Sequence, residues 1–377
     1  MPRKRANGDG SFYQRPDGTW QGRIVLPGGR RKSVYGPTRA SVREKLVQLR
    51  SDAAMGLDVF TKDQLFGSYL QSWLEDVAGP AVRPSTRESY ESLVRVRVLP
   101  HLGSVKLSEV TPQRLQALYS SLSASGLSPA SVGRTHAVLH AALKQALLWN
   151  LIPRNPAAAA RPPSAPRSEM QTLTRDEVQR LVAAAGDATF RCLYLLAATA
   201  GLRRGELVGL RWSDIDLDRG QLTVLRTAQR IKAEGIVFGE PKTKAGRRTV
   251  RLGSLAVSAL RTHRPAQLEQ RLKAGPAWTD TGLVFTSARG TPIEEARLTR
   301  TFKRDLEVAG LPAVRFHDLR HTAATLLIEQ GVAIKAVQSA LGHSTIAVTM
   351  DTYAHVTPAM QDSVAETIDR LFGTAEL

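Results

Sequence analysis

The stretch RNPAAAARPPSAPRSEM, residues 154–170, sets the first limit on what this chain can fold into. Its prolines remove backbone donors and hold their predecessors out of the helical region, and no apolar period of 3.6 or 2 runs through it. It reads as a partly extended tether. A chain of 377 residues is long enough for two or three domains with a sizeable core, so separate pieces are expected on either side.

Upstream, residues 1–56 read as a small basic module. MPRKR opens it as an arm. GSFYQRPDGTWQGRIVLPGGRRKSVYGPT predicts three short strands, with Pro-Asp-Gly and Pro-Gly-Gly at the turns. RASVREKLVQLRSDAA predicts one amphipathic helix. A sheet backed by a helix can lay a strand face in a DNA major groove. Arg15, Arg23, Arg30, Arg31 and Lys32 are the candidate contacts, against the plainer reading of a solvated basic surface.

Residues 57–62 read as a short linker, and residues 63–156 as four helices with short joins. Ser85 after Pro84, Thr111 before Pro112 and Ser128 before Pro129 are the expected caps. Arg83, Arg87, Arg134, His136 and Lys144 can face phosphate, while Trp73 and Trp149 are expected in the core.

Downstream, Thr174 with Glu177 has capping-box spacing, and an apolar helix FRCLYLLAATA stops at Gly201. Three strands are expected across SDIDLDRGQLTVLRT, GIVFGEPKT and GRRTVRL, with a turn at 244–246 that puts Lys242 at a hairpin tip and Lys244 beside it as its rival. The run HDLRHTAATLLIEQGVAIKAVQSALGHSTIAVTMDTY, residues 317–353, gathers His317, Arg320, His343 and Tyr353. His317 and Arg320 are three apart, hence on one helix face. Imidazoles, a guanidinium and a phenol suit a site that holds an anion and attacks it. Plainer readings exist. His317 and His321 have zinc-ligand spacing, but Asp318 stands where a zinc helix has Glu. Residues 334–353 also fit a helix-turn-helix around Leu341-Gly342-His343.

Lys+Arg number 52 against 34 Asp+Glu, a net charge of +18, which favours a polyanionic partner. A membrane surface is the other taker of such charge, but no long apolar span or signal peptide is visible. The charge alone would also suit an RNA-binding protein. The single Cys192 makes no internal disulfide and no metal cluster, and a reducing cytoplasm is the expected setting.

HDLRHTAAT with LGHSTIAVTMDTYAH resembles the C-terminal signature of tyrosine recombinases, the phage-integrase family. ATAGLRRGELVGLRWSDID, residues 197–216, resembles the family's Gly-Leu-Arg-x-x-Glu-Leu element, and PKTKAGRRTVRL, residues 241–252, its catalytic-lysine hairpin. The family register selects Arg203 rather than Arg204 and gives Glu206 a supporting job. The resemblance implies a multidomain α+β chain. It would hold an arm-type DNA-binding module (1–56), a helical core-type DNA-binding domain (63–156) and a mainly helical catalytic domain with a small antiparallel sheet and a tail helix (170–377). It implies that Arg203, Lys242, His317, Arg320, His343 and Tyr353 act together.

Two guanidiniums, Arg203 and Arg320, would bind the non-bridging oxygens of a DNA phosphodiester. Tyr353 would attack to form a 3′-phosphotyrosyl link, His317 would take its proton, Lys242 would protonate the leaving 5′-hydroxyl, and His343 would bond the phosphate. That link keeps the energy of the broken strand, so neither ATP nor metal is required. The implied partners are double-stranded attachment sites, a homotetramer on DNA, and an excisionase or host DNA-bending protein as helper. A Xer-like resolvase has the same chemistry with a different job, disfavoured by the N-terminal module. A type IB topoisomerase shares the chemistry, and a silent DNA-binding regulator would share the fold.

Overall fold

The computed structural model describes residues 11–25, 29–54, 56, 64–164, 171–231, 234–241 and 246–342. Lys242, Lys244, His343, Tyr353 and the tail helix expected over 358–372 lie outside the described residues. The chain divides into two compact units, residues 1–167 and 168–377.

The first unit contains two separate hydrophobic cores. The smaller one lies under an antiparallel sheet of β1 (Ser11–Gln14), β2 (Trp20–Val25) and β3 (Arg31–Gly36), covered by α1 (Arg39–Ala54). Ile24, Val42, Leu46 and Leu49 form its centre. Gly22 allows the helix to lie this close, because a Cβ there would sit 2.5 Å from the Val42 side chain. The pleat sends alternate residues to opposite faces. Arg23 pairs with Ser33 across the sheet, and Tyr35 with Gln21, so the uncovered face carries Arg23, Arg31, Tyr13 and Tyr35. Lys32 pairs with buried Ile24, so it falls on the helix side of β3, away from the face that Arg23 and Arg31 share.

The second core is all helical. It comprises α2 (Phe66–Trp73) running on into α3 (Gly79–Ala81), α4 (Pro84–Leu93) running on into α5 (Leu99–Leu102), α6 (Pro112–Ala124) and α7 (Pro129–Leu148). Two wide π turns, Leu74–Ala78 and Val94–Val98, interrupt the first two runs just ahead of Pro80 and Pro100. A proline ring clashes with the carbonyl four residues back, and one extra residue in the turn relieves the clash. Thr111 and Ser128 cap α6 and α7 as expected, whereas Arg83, not Ser85, holds the N-cap position of α4. Trp73 is buried and stacks on Tyr90, but Trp149 is 43% exposed at the end of α7, contrary to its expected place in the core.

The Pro/Ala stretch is only partly a tether. Pro156–Ala159 forms a 3-10 turn against α6 and α7, and Ala157 and Ala160 are buried in the helical core. Packing thus runs past residue 156. Alanine has no side-chain entropy to lose and fits a tight gap, which no periodicity announces.

The second unit is built round α9 (Ala188–Ala200), which follows α8 (Arg175–Ala184). Helix α9 is apolar on nearly every side, so it is buried all round by α8, α11 (Ser254–Ala274) and α13 (Asp318–Glu329). Each fully buried leucine there contributes about 1.5–3 kcal/mol. The short α10 (Arg204–Val208) follows α9. Strands β4 (Ile215–Asp216), β5 (Gln221–Val224) and β8 (Arg248–Arg251) form one antiparallel sheet; β6 (Thr227–Ile231) and β7 (Gly235–Gly239) form a separate two-stranded one. The expected pairing of GIVFGEPKT with GRRTVRL is not found among the described residues: β7 pairs with β6, and β8 with β5. Lys242, between β7 and β8 in sequence, lies outside the described residues. The basic α12 (Glu295–Val308) and short α14 (Ile334–Leu341) complete the described unit. Among the described residues no helix is long and apolar enough to cross a membrane.

Candidate active site

Three segments meet at the C-terminal end of α14. The first is the α9–α10 junction. Gly201 ends α9 with φ 58°, and a Cβ there would lie 2.2 Å from the Leu341 side chain. Only glycine gives both the left-handed turn and that close approach. Arg203 then takes the N-cap position of α10, and Glu206 the third helical position.

Glu206 is 3% exposed. It accepts from the Arg203 backbone N–H (2.9 Å) and from Arg203 Nη1 (2.9 Å). It also accepts from Arg248 Nη1 (3.2 Å) and Nη2 (3.0 Å), a bidentate pair. Burial alone would raise this carboxyl. The Arg248 hydrogen bonds and charge, then the Arg203 amide and charge, hold it below the ordinary carboxylate range.

A helix leaves its last carbonyls without intrahelical partners and carries negative potential at that end. At the end of α14 each of three consecutive carbonyls, the last that of the C-cap Gly342, receives an arginine. Arg248 Nε donates to Ala340 O at 2.8 Å, Arg320 Nη2 to Leu341 O at 2.6 Å, and Arg203 Nη2 to Gly342 O at 3.2 Å. Arg320 Nη1 also donates to Gly201 O at 2.6 Å, joining α9 to α13. Arg320 is 3% exposed, whereas the Arg203 side chain is 39% exposed and so open to a ligand.

His317 caps the start of α13, and its ring meets that of His321 edge to face at 5.2 Å. The residue is exposed at the surface. Desolvation, then the neighbouring His321, Arg320 and Arg203, push its pKa from 6.5 down to about 4. At neutral pH the ring is uncharged and has a lone pair to accept a proton. Asp318 is taken up by Arg315, which donates to it from its backbone and its guanidinium.

Arg203, Arg320, Glu206 and His317 thus share one site. Arg204, the rival, instead pairs with Glu295 at the start of α12. Arg248 was not among the residues singled out in the sequence. Its signal was there: Val250 faces inward on β8, so Arg248, two residues earlier, faces inward as well and needs a buried partner. Lys242, His343 and Tyr353 lie outside the described residues.

The DNA-contact candidates upstream are dispersed. Arg134 and Lys144 share an exposed stripe of α7, while Arg87 is exposed and pairs with Glu91 on its own helix. Arg83 sits at the N-cap of α4, half-buried. His136 is half-buried, with its Nδ1 3.0 Å from the buried Tyr119 hydroxyl. In the small module Arg15 stacks over Tyr35, and Arg30 is exposed just before β3.

Three guanidiniums against one carboxylate leave two surplus positive charges in a partly buried site. Such a surplus suits a strongly anionic group.

Comparison with known proteins gives the chain a family. Residues 171–360 match the phage integrase family, and residues 65–123 match the phage integrase N-terminal SAM-like domain. A tyrosine recombinase XerC-like protein of Caldanaerobacter subterraneus is 31% identical over 91% of this chain and 92% of its own. An integrase of Saccharopolyspora erythraea is 26% identical over 99% of both chains. The fold resembles the Tn1549 transposon integrase in complex with a circular intermediate DNA, with a TM-score of 0.65 and 23% identity over 80% of this chain and 99% of that one. It also resembles a lambda integrase tetramer bound to a Holliday junction, with a TM-score of 0.57 and 22% identity over 91% and 94% of the two chains. The chain belongs to the phage integrase family of tyrosine recombinases.

Proposed function

We propose that this chain is a site-specific DNA recombinase that integrates or excises a mobile element through a 3′-phosphotyrosyl intermediate. The observation that carries the reading is the cluster of Arg203, held by buried Glu206, with Arg320 and neutral His317 beside it, and Tyr353 downstream in the family's order. Relatives named as integrases, from Saccharopolyspora erythraea to Mycobacterium phage D29, support it.

A phosphodiester carries one negative charge and gains a second on its non-bridging oxygens as a nucleophile adds. The two surplus positive charges of the site match that later state better than the ground state, which is the requirement for catalysis. The Arg203 guanidinium is open on one side to take a phosphate oxygen, and Arg320 stands ready from the buried side. A tyrosine hydroxyl, with a pKa near about 10, needs a base, and the uncharged His317 is a suitable one. Lys242 protonates the leaving 5′-hydroxyl, and His343, the residue after Gly342, bonds the phosphate. The second 5′-hydroxyl then attacks the phosphotyrosine and restores the backbone. The cations are side chains and the bond energy is kept, so the reading requires no metal and no nucleotide. Duplex attachment sites are the substrate, and a tetramer is the working assembly, as in the lambda integrase complex. The uncovered sheet face with Arg23, Arg31, Tyr13 and Tyr35 binds a distal arm of that DNA.

The second reading is a Xer-like resolvase with the same chemistry, favoured by the likeness to a XerC-like recombinase over 91% of this chain. One experiment tests both levels. Wild type and Tyr353→Phe are expressed in the host, SDS-resistant protein–DNA adducts are collected, and their DNA is sequenced. Adducts in wild type alone, at the junctions of a mobile element, are expected. Adducts at a single chromosomal locus without such an element would favour the resolvase. Adducts from the Phe variant would mean another nucleophile, and binding without adducts in wild type would mean a silent regulator.

A further inference from the structure

The Arg248 side chain makes four hydrogen bonds at the site and reaches both α10 and the end of α14. Its guanidinium holds Glu206 with two hydrogen bonds, Ala340 O at the end of α14 with a third, and Gly246 O with a fourth at 3.2 Å. Its side chain is only 7% exposed. Arg203 in turn bonds both Glu206 and Gly342 O, so Arg248 and Arg203 close a ring through one carboxylate and one helix end. We propose that Arg248 is a positioning residue for strand cleavage: it locks Glu206, and through it the Arg203 guanidinium, against the last turn of α14. The inference rests on the recombinase reading above.

The residue type follows from the geometry. A planar fork is needed to grip a carboxylate with two nitrogens while a third nitrogen caps a helix carbonyl. Lysine keeps the charge but is a point donor and cannot span all three. Without Arg248, Glu206 has a single cationic partner on a flexible, 39% exposed side chain. Arg203 then swings with it, and misplacing a group at the reacting centre by about 1 Å costs about 10²-fold in rate. Arg248 also sits at the start of β8, only a few residues after the connection that carries Lys242, so the same side chain ties that connection's end to α14.

The test uses the full-length chain and an attachment-core duplex recovered by the trapping experiment. Single-turnover adduct formation and DNA affinity are measured for wild type, Arg248→Lys, Glu206→Gln and the double variant. Arg248→Lys is expected to slow adduct formation by about 10²-fold while affinity stays within about threefold. The double variant is expected to be little slower than the worse single one, because both changes break one link. A pH profile supplies a readout that a merely structural role would not move. In Arg248→Met the Glu206 carboxyl loses its chief cation, protonates at higher pH and releases Arg203. Adduct formation should therefore fall with decreasing pH earlier than in wild type, and adding Glu206→Gln should remove that limb.

Near-wild-type cleavage by folded Arg248→Lys would overturn the inference, as would rate losses that merely track lost affinity. Should Arg248→Lys fail to fold, Glu206→Gln reads the same link from its other end, and unchanged cleavage there would overturn it too. Wild type forming no adduct would sink the recombinase reading and this inference with it, an outcome plainly different from an active wild type beside an equally active Arg248→Lys.

Discussion

Helix α8 starts after Thr174 and helix α10 after Arg203, and in both a glutamate three residues on accepts the N-cap amide. At α8 the cap is reciprocal: the Thr174 hydroxyl accepts the Glu177 N–H at 3.3 Å. Both groups are at the surface, and the motif only starts a helix. At α10 the N-cap residue is an arginine, which has no acceptor, so the box is half complete. Its side chain instead donates to the same carboxylate, and Arg248 joins from β8. The first motif spends its glutamate on the backbone. The second buries its glutamate and uses it to fix two guanidiniums in a place where an anion can be gripped. The same local pattern is thus a helix start in one place and the frame of the candidate site in the other.

The comparison can be broken by substitution. Glu206→Ala should have the largest effect, because it leaves Arg248 buried and unpaired. A loss of about 3–5 kcal/mol is expected for breaking such a pair, read as a lower urea midpoint together with lost adduct formation. If stability fell only as it does for a surface carboxylate, Glu206 would be no more than a cap.

An intermediate effect is expected from pH. His317 titrates near 6.5 in the unfolded chain but near 4 in the folded one. Between those values the unfolded state binds the additional proton, so stability should decline as pH falls from about 6.5 towards about 4. His321, lowered by burial against the pull of Asp318, acts in the same direction. His317→Asn should flatten part of that slope in thermal melts across the window, and an unchanged slope would place the titration elsewhere.

The smallest effect belongs to the plain cap. Thr174→Ala should cost about 1 kcal/mol and leave the rate of adduct formation unchanged. A rate defect in that variant would erase the distinction between the two helix starts.

Much of the site could be read in one dimension because its motifs are local. His317 and Arg320 are set by one helical turn, Arg203 and Glu206 by another, and Gly201 and Gly342 each mark a helix end. The caps at Thr111, Ser128 and Thr174 are equally local, and all three were legible. Partnerships across the chain were not. Nothing adjacent to Arg248 names Glu206, which lies 42 residues earlier, or Ala340, which lies 92 residues later. Strand pairing was misjudged for the same reason: β8 matched β5 across the intervening β6–β7 hairpin, and register depends on which apolar faces must meet in a core. The alanines near residue 157 looked like a tether until neighbouring helices supplied a gap of the right size.

By itself, then, the sequence determined the helix ends, the chemical inventory of the site and the family, because each depends on residues within a few positions of one another. Only the tertiary structure decided which third arginine holds the carboxylate, and that the three meet at consecutive carbonyls of one helix end. Those outcomes depend on burial: a charge removed from water must find a partner, and the partner is chosen by packing rather than by position in the chain.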